Sequence, residues 1–379
     1  MKFLSSDVKL IVLLFLSWKT AIFITAFVAI SAIPLAGRNF LGGGIEKYLN
    51  NPFLFSWANF DGEHYLSISQ IGYRGLEQAF FPIYPILMSI LSKPFGGSIE
   101  ASVSMGFLVS NIAFVLAIYF LYKLIKLDFP KEIAILTILL MLVFPTSFYF
   151  GAVYSESLFL LLSVLSFYSA RKDRWLLASL FGVAASATRI FGILLLGALL
   201  LDAWQRKISW RKYFWIIFIP LGLISYMFYQ WVTVSDPLAF YHLQKIVGPQ
   251  HESGITLIPQ VYLRYIKMLF SVDMTNPIFQ TIVLEFFMGV VFFLLPIYGY
   301  FKKIRLSYLF FALTGFLLPT IQGSFSSVPR YVIVFFPSFL CLAILVKRLP
   351  LPLKVITMLL SSVWLIAETV LFLRGYWVA

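Results

Sequence analysis

The chain alternates long apolar runs with short polar ones, and the lengths of those runs set the first expectation. An α-helix needs about 20 apolar residues to cross roughly 30 Å of hydrocarbon. Runs of that order occupy 10–33, 100–122, 131–150, 152–170, 213–234, 279–300, 306–321, 331–346 and 353–373. A further run, 175–201, is interrupted by the polar step Ser186, Ala187, Thr188, Arg189. The stretch 80–93, opened by Phe81-Pro82-Ile83-Tyr84-Pro85, is too short to span and reads as an interfacial or re-entrant helix.

Basic residues choose between the ways these runs can be threaded. A single crossing by 175–201 would put Arg206, Lys207, Arg211 and Lys212 on the opposite side from Arg171, Lys172 and Arg174, against the positive-inside rule. Two short helices meeting at Thr188 and Arg189, each about 20 Å long, keep both patches cytoplasmic. The predicted fold class is therefore an all-α polytopic membrane protein, one domain over 1–379. It has about eleven transmembrane or re-entrant helices, with the N-terminus inside and the C-terminus outside. Lys2 and Lys9 precede an apolar stretch longer than a signal-peptide core, which reads as a retained first span. Cytoplasmic turns are short and basic, whereas two long extracytoplasmic stretches, 34–99 and 235–278, hold most of the chemistry-bearing side chains. Functional residues belong on loops held by a rigid scaffold, which points to the outer face.

Composition agrees and removes alternatives. Of 379 residues, 61% are hydrophobic and 12% charged, and the mean hydropathy is +0.92, far from the soluble range. The net charge of +13 sits in short clusters between apolar runs. It is a topological signal with membrane lipid as the partner, and nucleic acid is not expected. The single cysteine, Cys341, excludes an intramolecular disulfide and suits buried packing. No phosphate-binding Gly-Lys-Ser/Thr loop, Rossmann glycine fingerprint, His-Glu-x-x-His or cysteine cluster occurs. A cytoplasmic nucleotide sugar is thus not the expected donor, and no resident cofactor is expected. The broken run at 175–201 invites a second reading, a transporter or flippase of lipid-linked sugars. The lack of a detectable repeat counts against it.

The densest polar cluster is Phe60-Asp61-Gly62-Glu63-His64-Tyr65-Leu66-Ser67-Ile68-Ser69, followed by Gly72-Tyr73-Arg74. Its spacing predicts a short amphipathic helix on the membrane with Asp61 at the N-terminal end. There the helix dipole favours a carboxylate, so Asp61 suits a general base, with plain helix capping as the competing role. Glu63, His64 and Arg74 become candidate substrate contacts beside it. Asp61 and Glu63 could hold a divalent ion, but two carboxylates alone do not indicate a metal, and His64, His242 and His251 are too scattered to add one.

Arg189 and Arg330 stand at the outer ends of apolar segments, and neither has an acid near it in sequence. A guanidinium there suits phosphate oxygens, with snorkelling to the interface as the alternative. Tyr154 and Glu156 open a span, where substrate hydrogen bonding competes with capping. Lys19, Glu285 and Glu368 are intramembrane ions, expected to pair with one another.

Taken together, several segments resemble the PIG-V family, the GPI mannosyltransferase 2 group of the GT-C membrane glycosyltransferases, and particularly its prokaryotic members. The matching pieces are Phe60 to Ile68, Gly72-Tyr73, Ala79 to Pro85, Phe144-Pro145-Thr146-Ser147 through Tyr154 to Phe159, Ala187-Thr188-Arg189 and Ser327 to Tyr331. The resemblance implies a GT-C-like helical bundle in a prokaryotic cell membrane. It also implies a polyprenyl- or dolichyl-phosphate mannose donor and inverting transfer to a hydroxyl of a glycan, lipid or protein on the extracytoplasmic face. The family's presumed catalytic base, an acid in the first outer loop, maps onto Asp61. Many relatives carry Trp immediately before this Asp. Here Phe60 precedes it and Trp57 lies three residues earlier.

Overall fold

A computed structural model describes residues 6–37, 39–243, 256–276 and 278–378, and His251 lies outside them. Among the described residues every regular element is helical. The first helix among the described residues is long and apolar, α1 (Ser6–Ala32). The first long connection folds into α2 (Gly44–Asn50), α3 (Pro52–Phe55), α4 (Asp61–Ile71) and the short apolar α5 (Ile83–Ser92). A second long helix, α6 (Ile99–Ile125), leads into α7 (Lys131–Leu142), α8 (Glu156–Arg171), α9 (Trp175–Ser186) and α10 (Leu194–Gln205). Next come α11 (Trp210–Ile216), α12 (Leu221–Val234), α13 (Ala239–His242) and the amphipathic α14 (Ile258–Ser271). The C-terminal part contains α15 (Ile278–Phe301), α16 (Leu306–Thr320), α17 (Val328–Val332), α18 (Phe336–Lys347) and α19 (Leu351–Leu373). Helices long and apolar enough to span are α1, α6, α11 with α12, α15 and α19.

Ion pairs show which connections share an end of the bundle. Asp7 accepts from Lys126 at 3.1 Å and Lys131 at 2.6 Å, tying the start of α1 to the α6–α7 turn. Asp128 in that turn is held by Arg171 at the end of α8 and by Arg305 before α16, the latter at 2.7 Å. Asp173 pairs with Lys212 and, at 3.7 Å, with Arg206, whose guanidinium also reaches the carbonyl of Ala170 at 2.7 Å. The α8–α9 and α10–α11 turns therefore lie side by side. The run 175–201 leaves one end and returns to it, as the charge pattern predicts, with its tip at 187–193. The tip is where α5 begins, since Ile83 N–H donates to the carbonyl of Ala187 at 3.3 Å.

Three runs expected as single helices are broken, and proline accounts for each. The run 131–150 stops at Leu142, before Pro145, and continues as turns through 143–155. Pro220 separates α11 from α12, and Pro337 starts α18 after a break at 333–335. Proline has no N–H to donate and clashes with the preceding turn. Such irregular backbone survives at membrane depth only when protein covers it. Phe148, Phe150, Val153 and Ser155 in the first break are fully buried.

Candidate functional site

The broken tips converge at the end of the bundle opposite the basic turns. Four charged side chains from four separate segments meet there. Asp61 is the first residue of α4, and its carboxylate pairs with Arg330 of α17 at 2.7 Å. Glu156 opens α8 and lies 2.7 Å from Arg189, at the hairpin tip, and 3.6 Å from Nε of Arg330. Each arginine thus finds an acid more than 30 residues away, which simple snorkelling does not require. Arg189 also donates to the Ser155 hydroxyl at 3.2 Å, and that hydroxyl bonds Tyr65 at 2.9 Å. Beside these charges lies a cavity of about 310 Å³ lined by Asp61, Tyr65, Arg189, Arg330 and Tyr331, with Phe80, Phe81, Phe191 and Trp377 as apolar wall.

The backbone is specialised where it delivers these groups. Phe60, just before Asp61, has φ 56, and Ser327, at the head of α17, has φ 59. Non-glycine residues rarely adopt such values, and the strain tends to sit at functional sites. The Phe60 ring packs against Phe372 and Trp377 at 5.9 and 5.8 Å, which holds the turn. Gly62 lets the first turn of α4 lie against 153–154, because a Cβ there would meet the carbonyl of Val153 at 3.3 Å. Asn59 accepts from Gly42 N–H at 3.0 Å and donates to the carbonyl of Phe372 at 2.9 Å, joining both sides of the turn to α19.

Asp61 is not a helix cap. Phe60 occupies that position, and no side chain caps α4. Glu156 is likewise the first residue of its helix, after Ser155. Its carboxylate is 1% exposed, yet neither oxygen has an aligned hydrogen-bond donor among the described residues, so its link to the arginines is ionic.

The other sequence candidates fall around this cluster. Tyr154 turns inward, and its hydroxyl donates to the carbonyl of Asn59 at 2.8 Å, bracing the Asp61 turn. His64 stacks on Phe80 at 4.7 Å, behind the cavity wall. Glu63 is two residues past Asp61, about 200° around the helix, and so faces away from the cavity. Burial raises its carboxyl above the ordinary value. The same rotation separates the two carboxylates of the Asp-x-Glu pair. Among the described residues no group of three or more His, Cys, Asp or Glu could hold a metal ion. Arg74 is exposed, with its backbone N–H bonded to Glu77 at 2.6 Å, and it does not line the cavity.

Lys19, Glu285 and Glu368 do not pair with one another, contrary to the sequence expectation. Lys19 lies 4.2 Å over the Phe107 ring and reaches the carbonyl of Gly151 at 3.4 Å. Glu368 accepts from Trp364 at 3.2 Å, and Glu285 from Tyr265 at 2.6 Å and Ser327 N–H at 2.9 Å. Neutral donors and aromatic faces within reach replace the ionic partner. Sequence reasoning missed Tyr65, Ser155 and Trp377. The first two sit inside quoted motifs, at i+4 from Asp61 and beside Glu156, whereas Trp377 carries no local signal.

The family model described as mannosyltransferase (PIG-V) matches residues 2–214, more than half of the chain. No curated protein sequence matches. The crystal structure of ArnT from Cupriavidus metallidurans bound to undecaprenyl phosphate is similar, with TM-score 0.55 and 13% identity over 93% of this chain and 62% of that one. Its apo state gives 0.53 and 15% over 94% and 63%. The chain thus spans less than two thirds of ArnT's length, and at this identity the likeness is one of fold, the GT-C-like bundle expected from sequence. With the family match, the all-helical bundle and helices long and apolar enough to span a membrane, the chain belongs to the PIG-V mannosyltransferase family.

Proposed function

We propose that the protein transfers a hexose, mannose by family, from a polyprenyl-phosphate sugar to an acceptor hydroxyl, with inversion and with Asp61 as general base. The observation that carries this reading is that one carboxylate and two guanidiniums line a single cavity. Arg189 and Arg330 would hold the donor phosphate, where fixed cations offset charge as it develops on the leaving group. A lipid-phosphate donor is supported by the ArnT neighbour, whose crystal structure holds undecaprenyl phosphate.

Charge accounting favours this arrangement. Without substrate, Asp61, Glu156, Arg189 and Arg330 sum to zero, and Arg330 is shared by both acids. In the reaction the bond from the anomeric carbon to the phosphate oxygen breaks, and a bond to the acceptor oxygen forms. The acceptor proton passes to Asp61 as the phosphate gains one negative charge. Neutralising Asp61 removes its hold on Arg330 at the moment the phosphate needs a cation. Glu156 keeps Arg189 in place throughout. A single displacement with one base inverts the anomeric centre.

The active face is read as extracytoplasmic from the basic turns at the opposite end. Purified protein given defined polyprenyl-phosphate sugars tests the proposal, with the anomeric configuration of the product as readout. Transfer with retention, or from a nucleotide sugar alone, would overturn it.

A further inference from the structure

The proposed reaction leaves Glu285 unused. This side chain on α15 is 5% exposed, and among the described residues no lysine or arginine pairs with it. A buried acid without a cation is costly and calls for a reason. Its two hydrogen bonds supply one. One oxygen accepts from Ser327 N–H at 2.9 Å, and the other from the Tyr265 hydroxyl at 2.6 Å.

Ser327 is the left-handed residue that turns the chain into α17, and Arg330 follows three residues later. A five-residue helix cannot hold its own direction, so α17 depends on outside bonds. Thr146 provides one, donating to the carbonyl of Pro329 at 2.7 Å. Glu285 provides the other, at the strained residue itself. Tyr265 links the same carboxylate to α14 and bonds Ser324 at 3.2 Å.

We infer that Glu285 is a positioning residue for Arg330: by fixing Ser327 in its left-handed conformation, it aims the guanidinium into the cavity. The inference rests on the reading of Arg330 as a phosphate ligand. A carboxylate suits the task because it accepts two donors at once and offers none. Glutamine keeps an acceptor for Ser327, whereas leucine keeps only the bulk.

The test is a double-mutant cycle read as binding of undecaprenyl phosphate to purified full-length protein, with a thermal melt for every variant. Arg330→Gln should weaken binding. Glu285→Leu should weaken it roughly 5- to 100-fold, the effect of losing a buried hydrogen bond. Glu285→Gln should stay within about twofold of wild type. In the Arg330→Gln background, Glu285→Leu should add little, since coupled residues are not additive. Should Glu285→Leu fail to fold, Tyr265→Phe carries the same cycle, with a smaller loss that also vanishes without Arg330. An equal loss in both backgrounds would assign Glu285 a purely structural role and overturn the inference. Wild-type binding by Glu285→Leu, alongside a weakened Arg330→Gln, would overturn it and leave the phosphate reading intact. Wild-type binding by Arg330→Gln would remove both.

Discussion

The two ends of the bundle both gather acids and arginines, but they use them differently. At the basic end, Asp128 lies between Arg171 and Arg305, and both of its oxygens receive aligned bonds, at 2.7 and 2.9 Å from Arg305. The turns held this way are short. At the other end, Glu156 is fully buried without an aligned donor, Arg330 is split between two acids at 2.7 and 3.6 Å, and space lies beside them. One arrangement is saturated and fastens helices. The other keeps charge buried with bonding capacity unspent, which costs stability and suits a ligand that completes it.

Removing one charge from each end should therefore have opposite consequences. Asp61→Asn barely changes volume, and loss of a positioned general base typically costs roughly 10²- to 10⁴-fold in rate. Turnover of the purified enzyme should fall by that order with little change in melting temperature. Near-normal transfer would sink the mechanism and bring Glu156 forward.

Arg189 sharpens the same contrast with a smaller effect. Lysine keeps the charge but loses the planar fork, and it cannot face Glu156, Ser155 and a phosphate together. Arg189→Lys should raise the donor KM or lower kcat by about tenfold, and Arg189→Ala should do so more strongly. Unchanged kinetics for Arg189→Ala would reduce the residue to a partner for Glu156.

Asp128→Asn should spare activity and cost stability. Burial acts to raise the Asp128 pKa, but bonds to Arg305 and Arg171 win and hold it at about 2. A carboxyl depressed below its unfolded value adds stability above that value, near pH 4, and loses it as pH falls through about 2. Solvent screening at this partly exposed site reduces the contribution at neutral pH to about 1 kcal/mol. Melting of Asp128→Asn against wild type at pH 7 and pH 3 should show a difference that narrows on acidification. A difference that persists or grows would mean that the charge is not the cause.

Much of this was legible in the sequence, and the limits have physical reasons. Run lengths and basic turns fixed the membrane class and the hairpin at 175–201, because bilayer thickness and charge asymmetry act on local sequence. Proline breaks at 145, 220 and 337 were visible as residues but not as consequences, since apolar composition alone does not reveal which backbone the protein covers. Asp61, Glu156, Arg189 and Arg330 were each identifiable, whereas their convergence was not. Pairing between segments this far apart in sequence leaves no periodicity to read. The misread ions, Lys19 and the two glutamates, were judged by charge, and the structure satisfies them with tyrosine, tryptophan, backbone and ring faces.

The smallest expected effect is on function, and it tests which end faces the cytoplasm. Lys207 is exposed in the α10–α11 turn, and Lys93 is exposed at the site end, after α5. In a Cys341→Ser background, cysteines at 207, 172 and 93 should leave transfer nearly unchanged, because none touches the cavity. A membrane-impermeant thiol reagent applied to intact cells should modify the cysteine at 93 and spare those at 172 and 207, which should react once the membrane is permeabilised. The pair at 172 and 207 is the decisive control. The contacts of Asp173 with Lys212 and Arg206 require both turns to share an end, whichever side it faces. Labelling of both in intact cells would invert the orientation and keep the hairpin. Labelling of 207 without 172 would mean that 175–201 crosses the bilayer once, and Arg189 could no longer stand at the tip beside Glu156.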